Sequence, residues 1–447
     1  MADERHPHLA RRLGPFDATM IVMGGIVGAG IFINPYVVAR VVHTPATILL
    51  PWIVGGVIAL TGAFVYAELA VWRPAVGGQY VYLRDAFHPV VAFLYGWTLL
   101  LVSQTGGMAA VAMTFANYFR ELTGATLAPA WIAVITLAVL VIVNALGVRV
   151  GSTVQSTFMV MKIAALAMLV TLGWMGLHHT THVVADAEPW VRVERAPIVA
   201  FAAAMVPVLF AYGGWQTASF VSGEMRAPTR DLPRALLAGV LAVVLLYVAA
   251  NAVYVGVLGA DGLAATTTPA SAVMRAALGP TGARLIAAGI AISTVGFLSQ
   301  GMLTAPRVYY AMARDGLFFE RVGRTSARTQ APVAAIVLQG VLAAVIALSG
   351  RFEQILSYVV AIDALFFGLT GAALIVFRRR EARGAARAEG SGLRVPGHPV
   401  TTIIFVVVFW SLAVSTVVQY PHSAGAGMVI LLAGLPAYAW WRRGKIV

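Results

Sequence analysis

Cysteine is absent from this sequence, and charged residues are scarce. Without cysteine the chain can form no disulfide, no thiolate metal site and no cysteine nucleophile. Only 11% of the residues are charged, whereas 60% are hydrophobic. Soluble domains carry about 25% charged and about 45–50% apolar residues. So little charge cannot cover a water-soluble surface, and the 447 residues indicate one membrane domain rather than several soluble ones.

Acidic residues are outnumbered, with 18 Asp and Glu against 31 Lys and Arg and a net charge of +13. A basic balance of this size first suggests nucleic acid as a partner. The basic residues, however, lie in short loops between apolar stretches, as in the run 378–380. This is the positive-inside pattern of membrane proteins. Nucleic acid is therefore rejected, and the lipid bilayer is the expected partner.

Twelve apolar stretches are long enough to cross a membrane, which takes about 20 residues. They are 16–42, 45–72, 89–119, 128–146, 152–177, 197–222, 233–258, 281–312, 332–348, 352–377, 400–418 and 424–441. The sequence thus predicts an all-α membrane protein with twelve transmembrane helices. The even number of crossings and the distribution of basic loops place both termini in the cytoplasm.

Glycine interrupts the first and the sixth of these stretches, at 24–30 and at 212–215. The two stretches lie five helices apart, so two groups of five helices would have opposite orientations. Glycine-interrupted segments at matching positions of two halves indicate a transporter site. The predicted organisation is a first repeat, an inverted second repeat, a cytoplasmic linker and a final helix pair, at 16–177, 197–377, 378–399 and 400–443.

The first interruption contains Gly28-Ala29-Gly30. Glycine leaves helical geometry without steric cost, and a break here would free backbone N–H groups at the start of the outer half-helix. Those groups and the helix dipole would stabilise a bound carboxylate. Small residues also let helices pack closely, and both interpretations remain open.

The second interruption, Tyr212-Gly213-Gly214-Trp215, has the complementary chemistry. Carbonyl groups freed at the end of the inner half-helix could accept an ammonium group. Donors for a carboxylate beside acceptors for an amine fit a zwitterionic amino acid. Phe210 and Trp215 are candidate walls or lids of such a site, although large aromatic residues in membrane helices more often serve packing.

Ionisable residues inside the apolar stretches are few. Lys162, near the middle of the fifth stretch, indicates either a proton-titrating group or a fixed cation that replaces a bound metal ion. Glu68 is expected to pair with an arginine of an inner loop, whereas Asp363 indicates a polar network without an evident partner. Glu224 opens a charged loop that is either a gate network or solvated charge. No Ser/His/Asp set, nucleotide loop or metal-ligand spacing occurs, so no enzyme activity and no cofactor are expected.

Seven segments, in order along most of the chain, carry a family resemblance: GIVGAGIF (25–32), YAEL (66–69), GGQYVYL (77–83), FAYGGWQ (210–216), GEMRAP (223–228), DLPR (231–234) and RVYYAMARDG (307–316). In them the chain resembles the amino acid–polyamine–organocation (APC) superfamily, and within it the L-type amino acid transporter (LAT) branch. The resemblance implies a LeuT-type fold, with five plus five helices as inverted repeats and two more at the C-terminal end. Its first and sixth helices would be discontinuous.

The resemblance also implies a substrate site. The carboxylate would bind four backbone amides at the first break, those of Gly28, Ala29, Gly30 and Ile31. The amine would bind four backbone carbonyls, those of Ile26, Phe210, Ala211 and Gly213. Phe210 resembles the family's aromatic gate, and Tyr254 resembles a weaker site position on the seventh helix. Lys162 matches the family lysine that stands in the place of a sodium ion in sodium-coupled relatives, which disfavours sodium coupling.

Two departures from the family pattern bear on the substrate. Gly213 stands where members that take cationic amino acids often have an acid, which favours neutral substrates, and Gln216 stands where Asn is commoner. The lack of cysteine excludes a disulfide to an ancillary subunit and favours a stand-alone protein of a bacterial inner membrane. The expected function is transport of neutral L-amino acids by alternating access, as sodium-independent exchange. Proton-coupled symport by the same fold, and an amino-acid sensor without transport, are the alternatives.

Overall fold

The computed structural model describes residues 9–176, 196–350, 352–384, 392–419 and 421–443. In these ranges the chain is helical and forms no β-strand, which confirms the all-α prediction. Nine helical segments of the described ranges are long and apolar enough to cross a membrane. Two shorter apolar helices, Pro129–Ala145 and Val333–Ser349, accompany them.

Eight helices form the first half of the chain: α1 Pro15–Ile26, α2 Gly30–Ala39, α3 Pro45–Trp72, α4 Gln79–Ala86, α5 Pro89–Thr98, α6 Gln104–Thr123, α7 Pro129–Ala145 and α8 Val148–Gly176. Several begin with proline, whose fixed φ and missing N–H suit the first helical position. α3 illustrates the local reason for a boundary. The Thr44 hydroxyl accepts a hydrogen bond from the Thr47 amide at 3.3 Å just before Pro45 starts the helix.

Eight helices follow in the second half: α9 Pro197–Tyr212, α10 Pro228–Ala265, α11 Pro269–Thr304, α12 Pro306–Arg314, α13 Val333–Ser349, α14 Phe352–Ala382, α15 Val400–Gln419 and α16 Pro421–Arg443. A 3-10 helix, Trp215–Glu224, comes after α9. α10 and α11 bend at Gly259 and Gly279, where φ is 69° and 62°. Only glycine adopts such angles at little cost, and the bends lie just outside the apolar stretches 233–258 and 281–312.

Two features differ from the sequence-based expectation. The stretch 89–119 forms one continuous helical span, Pro89–Thr123, but it contains the unexpected π-helical turn Leu99–Ser103 between α5 and α6. α4 was not expected at all, since its mixed sequence contains no apolar run. Six of its eight residues are nevertheless buried, so tertiary packing rather than local hydrophobicity stabilises this helix.

The first broken helix lies inside the bundle. α1 packs against α8, α10, α11 and the 3-10 helix, and α2 packs against α9, α10 and α11. α1 is apolar around most of its circumference, with Ile21 and Val22 fully buried, as expected for a helix enclosed on all sides. The packing therefore surrounds residues 27–29, where the helix is interrupted, with helices from both halves of the chain.

Candidate functional site at two helix breaks

The first break separates α1 from α2. α1 ends at Ile26, Val27 has an extended ψ of 98°, and α2 begins at Gly30 without a side-chain cap. Within the described residues, the backbone N–H groups of residues 28–31 donate no hydrogen bond. Unpaired N–H groups at a helix N-terminus attract anions. The break thus presents the donors that the sequence predicted for a carboxylate, and their binding role stays a prediction.

The second break follows α9, which packs beside α2, the outer half-helix of the first interruption. The prediction that the freed carbonyls belong to the inner half-helix is therefore wrong, because α9 lies on the same side of the breaks as α2. Gly213 is extended, and Gly214 has a φ of 107°, which only glycine adopts readily. In the described part of the chain, the backbone oxygens of Ala211, Tyr212 and Gly213 accept no hydrogen bond. The Phe210 oxygen accepts one, from the Gly213 amide at 3.1 Å. Since a carbonyl oxygen has two lone pairs, all the predicted amine acceptors of this break retain capacity.

The two breaks meet. A Cβ at Gly25 would collide with the carbonyl oxygen of Gly214, and a Cβ at Gly214 would collide with the carbonyl oxygen of Gly25. On the other side of the first break, a Cβ at Gly30 would lie 3.2 Å from the Ala211 Cβ. The side-chain amide of Asn34 donates a hydrogen bond to the backbone oxygen of Pro207 at 2.7 Å and holds α2 beside α9. The unpaired N–H groups of α2 and the unpaired carbonyls of α9 therefore adjoin.

Lys162 is fully enclosed beside the first break. Its side chain is 1% exposed, and its Nζ donates to the Val27 oxygen at 2.5 Å and to the Gly24 oxygen at 3.3 Å. Its stem lies against Gly296 of α11, where a Cβ would meet the Lys162 Cε at 2.5 Å. The amine thus satisfies carbonyls at the C-terminal end of α1, where a positive charge also suits the helix dipole.

Three further side chains bind the broken segments and were missed by sequence reasoning. Tyr247 of α10 donates to the Ile26 oxygen at 3.1 Å, and Ser293 of α11 donates to the Gly28 oxygen at 3.3 Å. Phe297, one turn beyond Ser293, lies against Gly28. The sequence could have indicated Tyr247, because it precedes the predicted site residue Tyr254 by seven residues, and residues seven apart share a helix face.

The predicted aromatic residues occupy different surroundings. Phe210 is 42% exposed, whereas Trp215 is 1% exposed and packs edge-on against Tyr66 at a centroid distance of 4.8 Å. Tyr254 is fully buried, and its hydroxyl has no hydrogen-bond partner among the described residues. Of these three predicted aromatic residues, only Phe210 therefore has an exposed ring. The roles predicted for the three side chains in substrate binding remain predictions.

The side of the bundle where α1 begins is closed by polar contacts, and we call it the basic side. Arg307 and Glu224 are both fully buried and pair through two hydrogen bonds, at 2.6 and 3.2 Å. Sequence reasoning grouped Glu224 with the arginines that follow it, but its partner comes from α12, 83 residues further on. The backbone of the same segment is also bound: the Leu13 N–H donates to the backbone oxygen of Glu224 at 3.0 Å, and the Arg226 N–H donates to the backbone oxygen of Leu13 at 3.0 Å.

Glu68 contributes to the same closure. Its Oε2 accepts hydrogen bonds from Arg378 at 2.9 Å and from the Val395 amide at 2.7 Å. Glu68 thus pairs with an arginine as expected, but Arg378 lies within α14 and not in an inner loop. Burial and the nearby Arg378 lower the pKa of His398, against the opposite effect of Glu68. The contacts join the ends of α3 and α14 to the segment that precedes α15.

Broken helices that meet inside an apolar helical bundle characterise secondary transporters. A family comparison matches residues 13–435 to the family described as amino acid permease. The chain belongs to this family, whose members are transporters rather than enzymes. This match confirms the family resemblance from which the site residues were predicted.

Three relatives show the breadth of the similarity. The chain is 30% identical to the large neutral amino acids transporter small subunit 2 of Homo sapiens over 437 residues, covering 96% of this chain and 80% of that protein. It is 29% identical to the serine/threonine exchanger SteT of Bacillus subtilis over 452 residues, covering 98% of both. It is 28% identical to the Asc-type amino acid transporter 1 of Mus musculus, covering 97% and 82%.

Proposed function

We propose that this protein transports neutral L-amino acids across a membrane by alternating access, as a sodium-independent exchanger. The supporting observation is the contact between the two breaks, which sets unpaired N–H groups of α2 beside unpaired carbonyls of α9. An α-amino acid carries a carboxylate that the first set would bind and an ammonium group that the second set would bind. The names of the relatives, which include an exchanger and large neutral amino acid transporters, agree with this substrate class.

The proposal includes a LeuT-type architecture with twelve membrane crossings. The two interrupted helices lie five predicted crossings apart, as inverted repeats at 16–177 and 197–377 require. The linker 378–399 and the final helices of 400–443 would complete the chain. Basic loops favour the cytoplasm for the basic side and for both termini, with a bacterial inner membrane as the location. The exchanger would work without a disulfide-linked subunit, since the sequence contains no cysteine.

Sodium independence is supported by Lys162. Its amine lies between the Gly24 oxygen of α1 and the Val27 oxygen of the first break, and its stem lies against Gly296 of α11. Backbone oxygens of this kind would otherwise suit a bound monovalent cation, and a fixed ammonium group supplies the positive charge instead. The same enclosure would also suit an amine that gains and loses a proton during the cycle, and proton-coupled symport is therefore the second candidate.

Counterflow in proteoliposomes separates the candidates. Vesicles loaded with unlabelled L-leucine should accumulate external labelled L-leucine, whether or not sodium or a proton gradient is present. Vesicles without internal amino acid should take up almost none. Uptake into empty vesicles that depends on an inward proton gradient would contradict exchange and support proton-coupled symport. Saturable binding to the purified protein without any flux would indicate a sensor.

A further inference from the structure

A carboxyl group in a membrane helix lies outside the site described above. Asp363 belongs to α14, within the apolar segment Val359–Ala382. Its Oδ1 accepts a hydrogen bond from the Ser103 hydroxyl at 2.7 Å. In the described ranges no basic side chain forms an ion pair with it. A membrane-embedded acid is costly unless paired, and it indicates a functional site by default.

The carboxyl group faces the interior of the bundle rather than lipid. One turn further along α14, Phe366 packs edge-on against Tyr95 of α5 at 5.2 Å between ring centroids, and Phe367 packs on Trp215 at 5.5 Å. Both phenylalanines are buried, and residues three and four apart share a helix face. Asp363, on this inward face, is only partly buried. It therefore borders a space inside the bundle.

This space is level with the second break. Trp215 is the first residue after Gly213 and Gly214, and its indole contacts Phe367. Asp363 precedes Phe367 by four residues, about 6 Å along the helix axis, in the direction away from the basic side. The step from Trp215 back to Gly213 leads in the same direction. Asp363 and Gly213 are thus displaced in the same direction from the contact between Phe367 and Trp215. The carboxyl group therefore lies at about the same height in the bundle as the end of α9.

Ser103 reaches Asp363 from the π-helical turn Leu99–Ser103. Such turns are rare and often occur at functional sites, because the extra residue redirects the side chains that follow. The Thr105 hydroxyl donates to the Leu100 oxygen at 2.6 Å and satisfies a carbonyl within the turn. The turn thus has local support, and it holds a hydroxyl donor on one oxygen of the carboxyl group.

We propose that Asp363, oriented by Ser103, binds a hydrogen-bond donor at the end of the substrate's side chain, either a hydroxyl or an ammonium group. The inference rests on the proposed function, in which the two breaks hold the α-carboxylate and the α-amine. Oδ2 of Asp363 has no hydrogen-bond partner among the described residues, and an ionised carboxylate acts only as an acceptor. An apolar side chain would leave this acceptor unpaired. A hydroxyl donor agrees with neutral substrates, and an ammonium donor would extend the range.

Isosteric substrate pairs test the proposal in proteoliposomes of the full chain. Inhibition constants against labelled L-leucine counterflow are measured for threonine and valine, and for lysine and 2-aminoheptanoic acid, in which a methyl group replaces the ammonium group. In the unaltered protein we expect the donor-bearing member of at least one pair to bind better. Asp363→Asn keeps the shape and removes the charge, and it should reduce that preference by about tenfold, the loss of one charge-assisted hydrogen bond. Ser103→Ala should change the same ratio in the same direction by a smaller factor.

Asp261→Asn is the matched control, because Asp261 is exposed near the end of α10 and loses the same charge. It should leave both ratios unchanged. Preference for threonine identifies the hydroxyl as the ligand, and preference for lysine identifies the ammonium group. The inference is overturned if neither pair is discriminated, or if the ratios persist in Asp363→Asn and Ser103→Ala. If Asp363→Asn does not fold, the Ser103→Ala ratio decides. A protein that exchanges no amino acid at all would instead contradict the proposed function.

Discussion

At the scale of single residues, Lys162 shows how backbone oxygens can accommodate a buried amine. Its Nζ contacts the Gly24 oxygen of α1 and the Val27 oxygen of the first break, and its stem fills the space beside Gly296 of α11. A buried charge is tolerated only when hydrogen bonds replace its hydration. The amine also stands at the negative end of the α1 dipole. The lysine therefore joins α1 to both α8 and α11.

Removing this amine should stop transport while leaving the protein folded. Lys162→Met keeps most of the stem and leaves the two carbonyls without a donor, so we expect exchange to fall by more than about tenfold. The measurement is counterflow, with size-exclusion chromatography and thermal unfolding as checks of the fold. Met161→Ala, on the neighbouring exposed position, is the control because Met161 is 41% exposed. Normal exchange kinetics in Lys162→Met would remove the lysine from the mechanism.

Sequence identified the ionisable residues of the bundle but not most of their partners. Lys162 and Asp363 stand out because a charge in an apolar stretch is conspicuous. The partner of Lys162 is backbone about 135 residues away, and backbone carries no residue-specific pattern. Asp363 is bound by Ser103, an ordinary residue of a π-helical turn. Glu68 was different, since its partner Arg378 begins the run of three arginines at 378–380 that the sequence itself displays.

At the scale of helices, the site depends on two interruptions that fit against each other. Gly25 and Gly214 approach so closely that neither can carry a side chain in this arrangement. Gly214 also has a φ of 107°, which side-chain-bearing residues rarely adopt. The breaks are thus fixed by mutual backbone contact as well as by local flexibility. Small residues allow such close approach between packed helices, and the role of these glycines in a binding site stays a prediction.

A single methyl group at this contact should separate the breaks. Gly25→Ala places its Cβ against the Gly214 oxygen, and the backbone must shift because no flexible side chain can yield. We expect exchange to fall by more than about tenfold, measured by counterflow with purified variant. Gly107→Ala is the control, since a Cβ at Gly107 would meet nothing within 4 Å. Alanine favours a helix interior, so this variant should retain both exchange and stability, and equal activity of the two variants would contradict the argument.

Element boundaries were predictable where apolar length and proline agree. α3 begins and ends where the stretch 45–72 does, because Pro45 starts the helix and hydrophobicity fills it. α4 was not predictable, since its polar sequence is stabilised only by tertiary burial. The π-helical turn Leu99–Ser103 leaves no mark in composition either. Its geometry depends on contacts with α14 that are distant in sequence.

At the scale of the whole molecule, the basic side is closed by a buried ion pair. Glu224 and Arg307 are both 0% exposed, and moving such charges apart requires each to find new partners or water. In an alternating-access cycle this side must open. The pair would then separate as water enters, which compensates both charges. The ion pair therefore biases the resting protein toward the closed basic side.

Removing one charge of this buried pair should lower the stability of the folded protein. Glu224→Gln leaves Arg307 buried without its counter-charge, which costs about 3–5 kcal/mol, and the unfolding temperature should fall clearly. The double variant Glu224→Gln with Arg307→Met should recover much of that loss, because no unpaired charge remains. Glu320→Gln is the control, since its ion pair with Arg324 is 80% and 56% exposed and such pairs contribute about 0–1 kcal/mol. Equal unfolding temperatures for Glu224→Gln and Glu320→Gln would exclude the buried pair as a stabilising contact.

The hydrogen bonds of Leu13 have a mechanical consequence. Leu13 ties the start of α1 to the end of the 3-10 helix, and Gly25 touches Gly214 at the opposite end of both segments. Two helices that contact each other at both ends cannot move independently. α1 and the 3-10 helix should therefore move as one rigid unit during transport. Spin labels placed on the two helices should keep a constant distance from each other through turnover, whereas their distances to labels on α3 and α14 should change.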